Sequence, residues 1–279
     1  MANPYNIMEP TCISFSGGRT SAYMLYKVLE ANDMQLPEDA VICFANTGKE
    51  DEATLKFVND CSERWNVPIT WLEYRTDGYA IVNYETASRN GEPFEALISR
   101  YPYLPNGRAR YCSSFMKTRT IHKHLKSIGW KEWDSFIGIR ADEPRRVAKF
   151  RANPHPENKH ETVCMPLVPL GVSAKEVGKF WEANHFDLNL PNINGKTMHG
   201  NCDLCMLKPK SQILSLIKEK PERALWWMKQ EENAAKLCTG DGKFFAIDRP
   251  SYANMYKYSF EQTDMFDPNE EAISCFCGD

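Results

Sequence analysis

Apolar positions near the start of the chain fall in short blocks. Residues 12–15 and 40–45 are brief β-prone runs, and residues 69–74 alternate apolar with polar side chains. Between them lie two helical rhythms: Ala22, Leu25, Tyr26 and Leu29 fall at i, i+3, i+4, i+7, and Phe57, Cys61 and Trp65 recur every fourth residue. Strand, helix, strand, helix, strand predicts right-handed crossovers and an α/β fold, a Rossmann-like open, mainly parallel sheet flanked by helices. Residues 76–110 are broken by Gly78, Gly91, Pro93, Pro102, Pro105 and Gly107, which predicts no long element there. A helix over 113–127 and a strand over 135–139 follow. The apolar run 165–170 precedes Ser173-Ala174-Lys175-Glu176, a capping box that opens a helix through Val177, Phe180 and Trp181. We place a domain boundary near residue 170. Beyond it, in 171–279, the chain is rich in Asn, Gly and Cys around 192–205, helical over 211–237, and irregular to its end, predicting a helical and irregular cap that carries cysteines.

Composition changes this picture in two ways. The 279 residues carry 34 Lys and Arg against 37 Asp and Glu, a net charge of -3, so attraction to nucleic acid or anionic membrane must come from a local patch. The opening MANPYNIMEP has no basic start followed by an apolar block, and no later stretch approaches the roughly 18 apolar residues of a membrane span. We therefore expect a cytoplasmic chain with no membrane partner. In such a reducing compartment ten cysteines are not a disulfide framework; each is either a small core residue or a thiol kept for metal or redox chemistry.

The segment FSGGRTSA, residues 15–22, joins the first predicted strand to the first predicted helix. Its glycine pair allows a tight turn with N–H groups pointing outward, and the helix start adds unsatisfied donors and the positive end of a dipole. Ser16, Thr20 and Ser21 add hydroxyls, and Arg19 adds a cation suited to phosphate oxygens. A plain strand-to-helix turn would also use Gly and Ser. The density of anion donors on the first strand favours a phosphate cradle. It is neither a Walker A loop nor GxGxxG.

Residues 16–21 resemble the PP-loop, SGGxxS, of the adenine nucleotide α-hydrolase superfamily, and more closely its phosphoadenosine phosphosulfate (PAPS) reductase-like branch. Three segments agree in order: FANTGKEDEATLKFV (44–58) is similar to the adenosine-binding signature, RARYCSSFMKTRTI (108–121) to the Arg, Cys and Lys block, and GIRADEPRR (138–146) to an arginine-bearing loop. Many such loops read SGGKDS; here Arg19 and Thr20 stand at the Lys and Asp positions. The resemblance implies an enzyme that holds ATP, or an adenylyl sulfate, on Ser16, Gly17, Gly18, Arg19, Thr20 and Ser21, with adenine near Asn46, Thr47 and Gly48 and Mg²⁺ bridging phosphate oxygens. ATP-using members cleave between the α- and β-phosphates, adenylating an acceptor and releasing pyrophosphate. Arg19, Lys117, Arg140 and Arg145 are then the cations expected at the reacting phosphates, with Glu143 orienting one arginine.

GNCDLCMLKPK places Cys202 and Cys205 at CxxC spacing in a loop, and a single CxxC needs further ligands. Cys112, flanked by Arg108, Arg110 and Lys117, is one candidate, and Cys275 and Cys277 in the tail are others. Three readings stand. A 4Fe-4S cluster on Cys112, Cys202, Cys205 and Cys277 is strengthened by resemblance to cluster-bearing family members; a zinc site, with His199, is the second. A redox CxxC or a tail nucleophile is the third, because CFCGD is similar to the C-terminal Cys-Gly of sulfonucleotide reductases, although here the chain ends in Asp279. Cys12, Cys43 and Cys61 read as core.

Arg140, Arg145, Arg146, Lys149 and Arg151 follow a predicted strand end, where open α/β sheets bind ligands. With Arg108, Arg110, Lys117, Arg119 and Lys123 they form a basic strip suited to a nucleic-acid backbone. His122 and His124, two apart on a helix, are no metal pair, and Trp226 and Trp227 read as packing. The functional expectation is an ATP-dependent sulfur transfer to a nucleic-acid or nucleobase acceptor, with an unidentified sulfur donor or reductant protein and room for a homo-oligomer. A sulfite-releasing reductase and a non-catalytic nucleotide sensor or DNA-binding module are the rivals.

Overall fold

A computed structural model describes residues 3–155, 159–193 and 196–261. Strands β1 (Thr11–Ser14), β2 (Ala40–Asn46) and β3 (Ile69–Arg75) alternate with helices α1 (Arg19–Ala31) and α2 (Glu52–Trp65), as the apolar rhythm predicts. Strand β4 (Gly78–Val82) returns antiparallel to β3 at the sheet edge. The chain then passes through α3 (Glu92–Ile98), α4 (Tyr111–Ser113), a π-helical turn (Ser114–Thr118) and α5 (Arg119–Ser127) before reaching β5 (Trp133–Ile137), α6 (Pro144–Ala152) and β6 (Glu161–Cys164). Six strands form one sheet in the order β4-β3-β2-β1-β5-β6. All neighbours except β3 and β4 run parallel. Strand order reverses between β1 and β5, and the loops at their carboxyl ends face one crevice.

The helix ends follow local chemistry. Asp51 caps α2, its Oδ1 accepting the Ala53 N–H at 2.9 Å, and the helix stops at left-handed Asn66. The expected capping box of Ser173 and Glu176 opens α7 (Ala174–Glu182). In contrast, α1 begins at Gly18 with no side-chain cap and no acid in its first turn. The apolar faces of α1, α2 and α7 bury Leu25, Phe57, Val177 and Trp181 with Ile13, Phe44 and Trp71 on one side of the sheet. On the other, α5 covers Cys12, Cys43, Leu72 and Trp133. Cys12, Cys43 and Cys61 are buried, as expected of core thiols.

Past a two-strand ribbon of β7 (Asn192–Ile193) and β8 (Lys196–Thr197), the predicted helix over 211–237 divides at Pro221 into α8 (Lys210–Glu219) and α9 (Glu222–Leu237), and α10 (Tyr252–Glu261) follows. These three helices share a second core with α3, built on Phe94, Trp227, Phe245 and Tyr252. Residues 171–190 contribute Val172, Val177, Trp181, Leu188 and Leu190 to the first core. Among the described residues no helix is long and apolar enough to cross a membrane.

Glu231 of α9 is buried in the second core and accepts the backbone N–H groups of Tyr252 at 2.9 Å and Phe245 at 3.4 Å. Burial outweighs these bonds and raises its pKa from 4.5 to about 7. The folded chain thus keeps a proton that the unfolded chain releases, so this group's contribution falls as pH rises from about 4.5 through about 7. We expect Glu231→Gln to gain stability relative to wild type by about 2 kcal/mol between pH 5 and pH 8, read from urea unfolding at both pH values. A pH-independent difference between the two proteins would refute this account.

Candidate functional site

The loop between β1 and α1 is shaped by Gly17 and Ser21. Gly17 has φ +79°, and a Cβ there would lie 2.6 Å from Thr54 Cγ2. Ser21 reaches back: its Oγ accepts the Ser16 N–H at 3.2 Å, lies 2.9 Å from Ser16 Oγ and donates to Gly18 O at 3.0 Å. The first intrahelical bond runs from Ala22 N–H to Gly18 O, so the N–H groups of residues 19–21 precede the helical ladder. Donors without a side-chain cap at the positive end of a dipole are an anion site.

The β5–α6 loop closes against this one. Gly138 allows the approach, since a Cβ there would meet Ser21 Cα at 3.0 Å. Arg140 donates to Thr20 Oγ1 at 3.1 Å and to Asp142 at 2.9 Å. Glu143 accepts the Arg140 N–H at 2.9 Å and a guanidinium N–H of Arg146 at 2.5 Å, so it orients Arg146. Arg146 lines a cavity with Ser16, Ser21, Lys117, Gly138 and Ile139, whereas Arg145 is exposed on α6 and is not among its lining residues. The cation run had Arg145 as the expected phosphate contact, but on α6 it is the neighbouring Arg146 that lines this cavity.

Beneath α5 the same cavity reaches a buried polar floor. Ser135 donates to Glu161 Oε1 at 2.6 Å, and His122 Nε2 lies 3.0 Å from Glu161 Oε2, yet neither of those last two atoms makes a well-oriented hydrogen bond. Nothing in the sequence spacing joins Ser135, Glu161 and His122; adjacent strands and α5 do.

Arg19 turns away from this cavity. Its Nε donates to Asp187 Oδ1 at 2.6 Å and a second guanidinium nitrogen pairs with Oδ2, while Trp181 Nε1 donates to Arg19 O at 2.9 Å. The side chains of Asn46 and Thr47 are also committed within the protein. Asn46 is buried and bonds Glu73 at 2.7 Å and Ser88 O at 2.9 Å. Thr47 Oγ1 donates to Glu50 at 2.8 Å and lies 3.3 Å from Cys202 Sγ. Gly48, at φ +75°, packs against Gly91. Ala45 is the β2 residue that faces the cavity.

Cys112, Cys202 and Cys205 line a second cavity with Phe94, Met116, Met206 and Trp227. The loop bearing two of them is pinned by buried charges: Asp203 pairs with Lys49 at 3.0 Å and accepts Trp227 Nε1–H at 2.8 Å, and Lys208 Nζ donates to Cys202 O at 2.7 Å. Burial pushes the Cys202 thiol well up, Glu50 adds to this, and Lys117 opposes it. His199 is buried between Arg223, which donates to Nδ1 at 3.1 Å, and Glu219, 3.1 Å from Nε2. Burial lowers its pKa. Burial alone would raise Asp51, but the Ala53 N–H and Arg223 hold it below the usual carboxylate range. Among the described residues no three His, Cys, Asp or Glu side chains form a group that could hold one metal ion. Cys275 and Cys277 lie outside the described residues.

Three sulfur donors lining an apolar cavity offer the soft ligand chemistry that a cluster uses. The π-helical turn sets the facing of the helix: Cys112, Ser113 and Met116 line the thiol cavity, Thr118, Ile121 and His122 line the cavity at the β1–α1 loop, and Lys117 lines both.

Residues 10–189 match the model of the phosphoadenosine phosphosulfate reductase domain. The chain is 29% identical over 215 residues to the uncharacterized nin region protein ORF290 of Escherichia phage lambda, covering 72% of this chain and 67% of that protein. It is 28% identical over 162 residues to the uncharacterized protein MJ0066 of Methanocaldococcus jannaschii, covering 58% of this chain and 29% of that protein. The U34-tRNA thiolase NcsA from Methanococcus maripaludis, solved with its 4Fe-4S cluster, superposes with a TM-score of 0.39 at 12% identity, covering 98% of this chain and 79% of that one.

Proposed function

The chain belongs to the phosphoadenosine phosphosulfate reductase domain family, and from that premise we propose that it is a PP-loop enzyme that adenylates a nucleic-acid or nucleobase acceptor with ATP and replaces the adenylate by sulfur. ATP phosphates would rest on the loop of residues 16–21 with Arg146 and Lys117 facing them, and Mg²⁺ carried in with the nucleotide would help neutralise their charge. Arg19 and Arg140 fix the loop from behind through Asp187 and Thr20. An acceptor oxygen attacks the α-phosphorus, the bond to the β-phosphate bridging oxygen breaks, and pyrophosphate leaves. A sulfur nucleophile then displaces AMP.

Cys112, Cys202 and Cys205 would hold a 4Fe-4S cluster, with Cys277 as the candidate fourth ligand. Such a cluster supplies iron at which sulfide can be held. The observation that supports this reading is Lys117 lining both cavities, so that the β1–α1 loop cavity and the thiols flank one cation. The second reading, reduction of PAPS to sulfite with Cys277 as nucleophile, is supported by the family match.

Anaerobic protein incubated with ATP, Mg²⁺, sulfide and oligonucleotide should yield AMP and pyrophosphate in equal amounts, and iron and acid-labile sulfide should accompany the purified chain. Sulfite release from PAPS with no ATP cleavage would overturn adenylation in favour of the reductase. ATP binding with neither product would leave a nucleotide sensor.

A further inference from the structure

The charge of this chain is segregated. Between Ser99 and Lys131 it carries eight Lys and Arg and no Asp or Glu, although the whole chain is net negative at -3. That stretch contains the helical passage α4, π-turn and α5 that borders both cavities. On α5, Thr120, His122 and Leu125 are buried against the sheet, whereas Arg119, Lys123 and Lys126 are exposed. Spaced by four and three residues, these cations form one solvent-facing stripe.

The stripe leads to a set of rings. The Arg119 guanidinium sits 4.3 Å from the centre of the Phe115 ring. Tyr101 and Tyr111 stack at 4.2 Å with 25° between their planes, and Tyr103, itself 37% exposed, meets Tyr111 edge-on at 5.6 Å. Tyr111 and Phe115 lie on the same helical passage as Cys112, whose inner side lines the thiol cavity, and Tyr101 and Tyr103 come from the segment before it.

We propose that this surface is a docking track for single-stranded nucleic acid: the backbone follows the stripe of α5, and an unstacked base settles on the tyrosines beside the cysteine cavity. Adjacent cations neutralise phosphates whatever the sequence, and aromatic faces accept bases only when these are not already paired and stacked. A duplex would meet the cations but could not use the rings. The inference rests on the reading of the acceptor as a nucleic acid, and it names the acceptor's strand state and its binding surface.

The test is fluorescence anisotropy of the full chain with a labelled 20-nucleotide single strand, as DNA and as RNA, and with the corresponding duplex, over a series of salt concentrations. A single strand should bind about tenfold more tightly than duplex, with a logarithmic salt slope of about -2 for three neutralised phosphates. Lys123→Glu with Lys126→Glu should weaken binding by about tenfold and flatten that slope, and Tyr103→Ala should weaken it about tenfold with the slope unchanged. Circular dichroism and ATP binding of both variants should match wild type.

Equal affinity for duplex, or unaltered binding by the charge-reversed variant, would overturn the proposal. So would the absence of single-strand binding by the full chain. Oligonucleotide binding without pyrophosphate release would leave this surface standing and overturn adenylation; pyrophosphate release without such binding would do the reverse.

Discussion

Replacement of Gly17 by alanine is expected to lower ATP turnover by about a hundredfold or more, while Gly18→Ala stays within about tenfold of wild type. The two glycines are adjacent and look equivalent in SGG, but their backbones differ. Gly17 sits at φ +79°, a region that costs a side-chain-bearing residue roughly 1–3 kcal/mol, and its new Cβ would also press on Thr54 of α2 at 2.6 Å. Thr54 is itself buried, so the loop has to move. Moving it swings the Ser16 and Ser21 donors away from the cavity they line, and a shift of roughly 1 Å in positioning groups is enough to cost about a hundredfold. Gly18, at φ -99° and ψ 162°, has a backbone that alanine adopts readily. The check is pyrophosphate release for both variants, with thermal unfolding run alongside. Wild-type turnover in a folded Gly17→Ala protein would mean that the phosphates do not use this loop.

Asp203→Ala should destabilise the chain by about 3–5 kcal/mol and empty the cysteine cavity of any bound iron. Asp203 is buried between Lys49, also buried, and the indole of Trp227. Removing it leaves a desolvated ammonium and an orphaned indole N–H, and both costs fall on the loop that presents Cys202 and Cys205. Urea unfolding gives the energy, and iron analysis of the folded fraction gives the site. A double variant, Lys49→Met with Asp203→Leu, removes both charges together and should recover more than half of the lost stability. If Asp203→Ala costs under about 1 kcal/mol, the buried pair does not hold this loop.

The first half of the sheet was legible because its signals are local. Short buried runs alternating with helical periodicity fix β1 to β3 and their crossovers, and Asp51 and Ser173 announce their caps by residue type alone. The region 76–110 was not legible: its glycines and prolines hide β4, whose pairing with β3 is a tertiary contact, and α3, which opens directly after Gly91 with Pro93 in its first turn. The same division runs through the candidate site. The SGG loop and the CxxC stand out as compact motifs, and Cys112 was joined to Cys202 and Cys205 by its flanking cations and the family resemblance, not by spacing; their common cavity arises where α4 and the 199–208 loop meet across the second core. Arg19 shows the limit of reading charge from a motif, since its partner Asp187 lies far along the chain and turns it away from the loop cavity. Ser135, Glu161 and His122 had no sequence signature at all, because parallel strands and an overlying helix bring together residues of no fixed spacing.

The π-turn over Ser114–Thr118 has a mechanical corollary. A wide turn stores one residue more than an α-helical path requires, and closing it would rotate everything upstream by about 100° relative to everything downstream. Deleting a single residue there would leave a longer, more regular helix whose two ends no longer look into their separate chambers. The irregularity is what lets one continuous rod serve as a partition with a different lining on each side.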